Sequence, residues 1–308
     1  VACHNPAYVR KYNMVQELVD GGTFLLNCPW NMEELEQHLP GQVKKFIADH
    51  KINFYTIDGV KLGIETGMGP TRINTILQSA FFKLANVMPI EEAVDFMKQA
   101  AKKSYGKKGD AVVEMNYKAI DAGVDAVHKV EVPASWSNPA ADPAPKKLTG
   151  RPETVKMVED LMNPISLMDG DSLPVSAFMG NPDGQFEHGA AAYEKRGTAV
   201  TVPTWNAEKC IQCNQCAFVC SHATIRPFML SEDEVKAAPS NIKVADTKPK
   251  ASEYKYTMSV SPLDCMGCGE CITVCPVGAI EMVPQESQAD EQPVFDYLVA
   301  NVSKKPGM

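Results

Sequence analysis

Two stretches near the C-terminal end of the chain repeat one spacing of cysteines. Cys210-Ile211-Gln212-Cys213-Asn214-Gln215-Cys216-Ala217-Phe218-Val219-Cys220 and Cys265-Met266-Gly267-Cys268-Gly269-Glu270-Cys271-Ile272-Thr273-Val274-Cys275 both read C-x2-C-x2-C-x3-C. An internal repeat of this kind marks a pseudo-symmetric duplication. Three thiols spaced by two residues can wrap a loop around one 4Fe–4S cubane so that each meets a different iron. The fourth, expected to begin a helix, points toward the other cubane. The spacing therefore assigns Cys210, Cys213, Cys216 and Cys275 to one cluster, and Cys265, Cys268, Cys271 and Cys220 to a second.

C-x2-C pairs also build zinc sites, but those join two pairs through a spacer and lack three evenly spaced cysteines plus a fourth, twice over. Gly267 and Gly269 leave backbone amides free to approach cluster sulfur. Ile211, Phe218, Ile225, Ile272, Val274 and Ile280 are expected to exclude water from the clusters. The first run ends Cys220-Ser221 where the second has Cys275-Pro276, which predicts a looser turn after Cys220.

Composition narrows the setting. Of ten cysteines in 308 residues, eight lie in the two runs, and the net charge is −8. The charge disfavours nucleic acid as a partner and suits steered association with a small protein. No apolar run reaches the ~18 residues that span a bilayer, and the opening Val1-Ala2-Cys3-His4 is no secretory signal. Clustered thiols without such a signal point to a reducing, cytoplasmic setting rather than to disulfides. The first residue is valine and an α/β pattern is soon under way, which suggests a piece of a longer polypeptide. Cys3 and Cys28 stand outside the repeat and read as small buried hydrophobes.

Three regions follow along the chain. Residues 1–137 read as an α/β segment. Gly22-Thr23-Phe24-Leu25-Leu26-Asn27 and Ile52-Asn53-Phe54-Tyr55-Thr56-Ile57 predict strands, and Asn31 predicts a helix cap. Ile73, Ile76, Leu77, Ala80, Phe81 and Leu84 predict one face of a helix. Pro89 predicts the start of a second helix, with Val94, Met97, Ala100 and Ala101 inward, and Asp110 the start of a third through Val113, Tyr117, Ile120 and Val124. Residues 138–203 read as a linker and a compact, loop-rich element without strong periodicity, the linker-like composition running over 133–152 with Pro133, Pro139, Pro143, Pro145 and Pro152. Residues 204–308 form the cysteine-rich domain, with an insertion at 221–264 expected to be an arm that docks on a neighbouring domain or a solvated loop.

Several stretches resemble one family. Gly22 to Asn27, Arg72-Ile73-Asn74-Thr75-Ile76-Leu77-Gln78 and Ala80-Phe81-Phe82-Lys83-Leu84 are similar to the gamma-type domain of pyruvate:ferredoxin oxidoreductases. Ala192-Tyr193-Glu194-Lys195-Arg196-Gly197 resembles that family's Glu-Lys-Arg element, and the cysteine runs resemble its ferredoxin domain, in the same order. The resemblance implies an α/β segment, then a small loop-rich element, then an α+β two-cluster bacterial-ferredoxin-like domain. It implies oxidative decarboxylation of pyruvate with coenzyme A to acetyl-CoA and carbon dioxide, with electrons passed to ferredoxin or flavodoxin. It also implies thiamine diphosphate, magnesium and a third 4Fe–4S cluster outside this chain, coenzyme A near the gamma-type domain, and a homodimeric parent. No Gly-Asp-Gly followed by Asn-Asn is present, so the chain is expected to lack the thiamine site and not to turn over pyruvate alone. The alternatives are the same section of another 2-oxoacid:ferredoxin oxidoreductase, and a free-standing dicluster electron carrier. The basic run Lys98, Lys102, Lys103, Lys107 and Lys108 reads as a solvated helix end, with coenzyme A phosphates as the functional alternative. Glu194, Lys195 and Arg196 are expected to form an interdomain ion-pair network.

Overall fold

A computed structural model describes residues 1–144, 147–248 and 253–305. Pro145, Pro249 and Lys250 lie outside the described residues. The chain divides into two compact units, Val1–Glu187 and His188–Met308.

Alternation along two short strands builds the first unit. Strands β1 (Ala2–Cys3), β2 (Thr23–Asn27), β3 (Asn53–Ile57) and β4 (His128–Lys129) pair in that order, the first three parallel and the last antiparallel. Successive side chains of a strand point to opposite faces. Phe24, Leu26 and Phe54 therefore share one core with Leu35, Val43 and Ile47, while Leu25 and Ile57 share the other with Ile76, Ala80 and Ala119. Helices cover both faces, as parallel strands require. Asn31 caps the helix Met32–His38 through a capping box with Glu34, as its sequence predicts. The helices Asn74–Ala85, Ile90–Tyr105 and Asp110–Asp125 also form.

Two of their faces are rotated from the expectation. Phe81 is 48% exposed, and in the next helix Ala93 is buried beside the expected Ala101, with Val94 and Met97 half-buried and Ala100 exposed. Helix packing selects a narrower stripe than the apolar pattern offers, because small residues permit the closest approach. Gly123 is the clearest case: a Cβ there would collide with Ser79 Oγ and the Ile76 carbonyl.

The stretch read as a linker is bound to the unit at its start. Ala134–Ser137 forms a 3-10 turn that buries Trp136 completely, with its Nε1 donating to Glu36 Oε2 at 2.5 Å. Glu36 also pairs with the buried Lys44 at 2.8 Å. Asp142 then accepts from the Gly41 and Gln42 amides at 2.7 and 3.1 Å, satisfying the open N-terminus of the helix Gly41–Asp49.

The region without apparent periodicity holds a helix running from Pro152 through Ser166. Thr154, Met157, Val158, Leu161 and Met162 are its buried stripe. Pro164 lacks an N–H and its ring would crowd the carbonyl four residues back. The helix accommodates it by a π turn over Val158–Met162, in which the Asn163 amide bonds the Val158 carbonyl.

The second unit pairs β5 (Thr201–Trp205) antiparallel with β9 (Ile280–Pro284), and β6 (Ile225–Leu230) antiparallel with β8 (Lys255–Val260). β7 (Ala245–Asp246) lies on the other edge of β8. The insertion thus supplies β6, β7 and β8, and folds onto its own unit. Leu230 packs with Val294 and Leu298 of the closing helix Glu291–Asn301. Among the described residues, no helix is long and apolar enough to cross a membrane.

Candidate metal centres

The two cysteine runs adopt one conformation twice. Gln212 and Asn214 have φ of 61° each, and their counterparts Gly267 and Gly269 have φ of 69° and 78°. The first run thus takes the left-handed turn without glycine. Asn tolerates that region, and the Asn214 side chain is held there by the Tyr256 hydroxyl at 2.7 Å. The turns aim matching amides at sulfur: Gln212 N to Cys210 Sγ and Gly267 N to Cys265 Sγ, each 3.4 Å. Ala279 N reaches Cys275 Sγ at 3.2 Å.

Each turn leads into a short helix, Gln215–Val219 or Glu270–Thr273, which carries the third cysteine of its run, Cys216 or Cys271. The fourth cysteine does not begin this helix, as expected from sequence, but follows it; Cys220 is its C-terminal cap. One helical turn carries the fourth thiol about 6 Å along the axis from the third.

The first group lines a small, partly open cavity whose wall contains Cys210, Cys213 and Cys216 of one run and Cys275 of the other. In the second group, burial raises the Cys265 thiol, and the charges of Cys220 and Cys268 raise it further. Burial pushes Cys271 up to about 11, with Cys265, Cys216 and Cys268 adding to it. Cys216, pushed up to about 11 by burial, also feels Cys210 and Cys213. The eight thiols therefore form two neighbouring sets that meet at Cys216 and Cys271.

Burial of Cys220 acts upward, but hydrogen bonds from the Thr224 hydroxyl and from the Thr224, His222 and Ile225 amides outweigh it and hold the thiol below its usual range. All ten cysteines are free thiols. Among the described residues, no three His, Cys, Asp or Glu side chains converge on a point that would hold a single metal ion. Thiols distributed around a cavity, with amides aimed at sulfur, suit a polynuclear cluster, in which each iron takes one protein thiolate.

Of the apolar shield expected from sequence, Ile225 and Ile280 are buried, Val274 is half-buried and Ile211 and Ile272 are partly exposed, but Phe218 is 87% exposed. A helix that turns Cys216 inward places Phe218 about 200° around its axis. Met258 and Tyr256 take the inner positions instead, packed with Trp205 and Ile280. Cys3 and Cys28 are buried in the first unit, where burial pushes their thiols up to about 11 and about 12.

Sequence reasoning missed Tyr256 and Thr224. Thr224 had a readable signal, four residues after Cys220, matching Ala279 after Cys275. Tyr256 had none, since its approach to Asn214 depends on the β6–β8 pairing. The Glu-Lys-Arg residues were singled out, and two ion pairs of theirs lie within the second unit. Lys195 pairs with Asp264 at 2.5 Å, and Arg196 with Glu194 at 2.6 Å.

Fold and thiol arrangement define the second unit as a two-cluster 4Fe–4S electron-transfer domain, and residues 209–279 match the family described as a 4Fe-4S dicluster domain. Residues 1–126 match "Pyruvate ferredoxin/flavodoxin oxidoreductase", and residues 141–199 match a domain of unknown function. A pyruvate-flavodoxin oxidoreductase of Klebsiella pneumoniae is 45% identical over 99% of this chain and 26% of its own length. A pyruvate:ferredoxin oxidoreductase of Moorella thermoacetica is 47% identical over 93% of this chain and 24% of its own. A pyruvate dehydrogenase [NADP(+)] of Cryptosporidium parvum is 39% identical over 99% of this chain and 17% of its own. Nearly the whole chain is thus similar to a section of pyruvate:ferredoxin (flavodoxin) oxidoreductases, and it spans about a quarter of the length of the first two relatives.

Proposed function

We propose that this chain is the electron-relay section of an enzyme that converts pyruvate, coenzyme A and oxidised ferredoxin or flavodoxin into acetyl-CoA, carbon dioxide and the reduced carrier. The observation that carries the reading is the cavity wall, which combines three thiols of one run with the last thiol of the other. On this reading Cys210, Cys213, Cys216 and Cys275 hold one 4Fe–4S cluster, and Cys265, Cys268, Cys271 and Cys220 hold the second. Such clusters accept and release electrons singly at a potential set by hydrogen bonds to sulfur and by exposure. Exchange of the fourth ligand holds the two sites side by side, the arrangement short-range electron hopping needs.

The residues of this chain do the positioning. Gln212, Gly267 and Ala279 direct amides to ligand sulfur, Asn214 and Tyr256 fix the first loop, and Met258 and Ile280 line the first site and limit water there. Thiamine diphosphate, magnesium and a third cluster belong to segments of the parent outside this chain. Coenzyme A would lie near the first unit, where Lys102, Lys103 and Lys107 offer cations to its phosphates. The parent is read as a homodimer in the cytoplasm. The four-fold greater length of the relatives supports a section of a larger enzyme over a free-standing carrier.

Protein prepared anaerobically should contain about eight irons and about eight acid-labile sulfides per chain. Stoichiometric zinc with little iron would refute the assignment.

A further inference from the structure

The segment matched as a domain of unknown function ends on the second cysteine loop. Lys195 Nζ donates to Asp264 Oδ2 at 2.5 Å, lies 3.5 Å from Asp296 Oδ1, and stands 5.8 Å from the centre of the Phe295 ring. Asp264 immediately precedes Cys265, and its Oδ2 also accepts from the buried Ser261 hydroxyl at 2.6 Å. Two residues on, Gly197 N donates to the Leu263 carbonyl at 2.8 Å.

Ala199 and Val202 then pack with Cys265 in one buried cluster. The chain passes so close to Gly267 that a Cβ there would lie 2.8 Å from the Thr201 carbonyl oxygen and 3.3 Å from Ala199 Cβ. Lys195 and Gly197 hold φ of 40° and 61°. A non-glycine residue persists in that region when its surroundings over-determine it, and the Asp264 bond does so here. The first cysteine loop is secured differently, by the Gln212 side chain, which bonds the Asp246 carbonyl at 2.7 Å and the Lys248 amide at 2.8 Å.

We infer that residues 195–202 are a strap for the second cluster site: Lys195 pins Asp264 and so fixes Cys265, and the chain behind it shields that thiol from water. Lys195 is thus a positioning residue, and the inference rests on the two-cluster reading. It gives the end of this segment a role that is local to one cluster. Removing the cation leaves Asp264 and Asp296 without their shared partner and frees the loop that begins at Cys265.

The test is iron release from the anaerobic holoprotein to a ferrous chelator, bathophenanthroline disulfonate, with EPR of the reduced protein recorded alongside. Lys195→Met should release about half of the iron about tenfold faster, with the other half at the wild-type rate. It should also alter one of the two EPR signals. Lys195→Arg, which keeps the cation, should restore both readouts, and Lys236→Met, at an exposed surface pair, should change neither. Equal acceleration of all the iron, or no change, would overturn the strap. Wild-type protein without iron would instead overturn the two-cluster reading, so the two failures are distinguishable.

Discussion

At the scale of single residues, the two halves of the duplicated site are alike in backbone and different in a few side chains. Thr224 and Ala279 occupy matching places four residues after Cys220 and Cys275, and the Thr224 hydroxyl lies 3.4 Å from Cys220 Sγ. A hydroxyl directed at a thiolate stabilises the more negative, reduced cluster relative to the oxidised one. Thr224→Val should therefore lower the potential of the cluster proposed for Cys265, Cys268, Cys271 and Cys220 by about 60 mV, one charge-assisted hydrogen bond in a one-electron couple. An EPR-monitored redox titration reads this directly, with the other potential unchanged. A second residue-scale prediction concerns Glu234. Burial acts to raise its carboxyl, but bonds from the Lys305 ammonium, the Ser303 and Ser231 amides and the Ser303 hydroxyl outweigh it, and hold it at about 2. The unfolded value is about 4.3, so the contribution, about 2–3 kcal/mol, is complete above the unfolded value and is lost as pH falls from there toward 2. Thermal melts of wild type and Glu234→Gln should differ at pH 7 and converge as pH approaches 2. A gap that stays constant with pH would contradict the account.

At the scale of elements, sequence was most informative where local chemistry decides the outcome. The Asn31 cap, the strands beginning at Thr23 and Asn53, and the paired cysteine loops follow from nearest neighbours, and their residues identify them. Elements set by tertiary approach were harder to read. Prolines at 133 and 139 flank the 3-10 turn that buries Trp136, and the distant Glu36 and Phe54 give that turn a reason to pack. The buried stripe Thr154, Met157, Val158, Leu161 and Met162 keeps helical spacing, but Pro152 and Pro164 near its two ends carry the signals of a linker. Phe81 and Phe218 belong to apolar stripes, but each element turns a smaller residue inward. The close pairing of the helices Asn74–Ala85 and Asp110–Asp125 depends on Gly123. Gly123→Ala should destabilise the first unit by about 1–3 kcal/mol, the usual cost of overpacking, despite the better helix propensity of alanine. Denaturant unfolding measures it, and an unchanged or raised midpoint would show that the helices can separate at no cost.

At the scale of the whole molecule, the chain joins an α/β unit to a duplicated cluster-binding unit. The cysteine spacing made the second legible as a dicluster domain, because a cubane restricts where four thiolates can stand. The enzymatic setting was legible only by resemblance, since cysteine spacing carries no information on thiamine diphosphate or on the 2-oxoacid. The central claim is the exchange of outermost ligands between the two runs. Crystallography of the anaerobic holoprotein, with anomalous data at the iron edge, tests it most directly. The account predicts Cys275 Sγ bound to iron of the cubane that Cys210, Cys213 and Cys216 hold, and Cys220 Sγ bound to the other. Cys220 on the same cubane as Cys210 would contradict it.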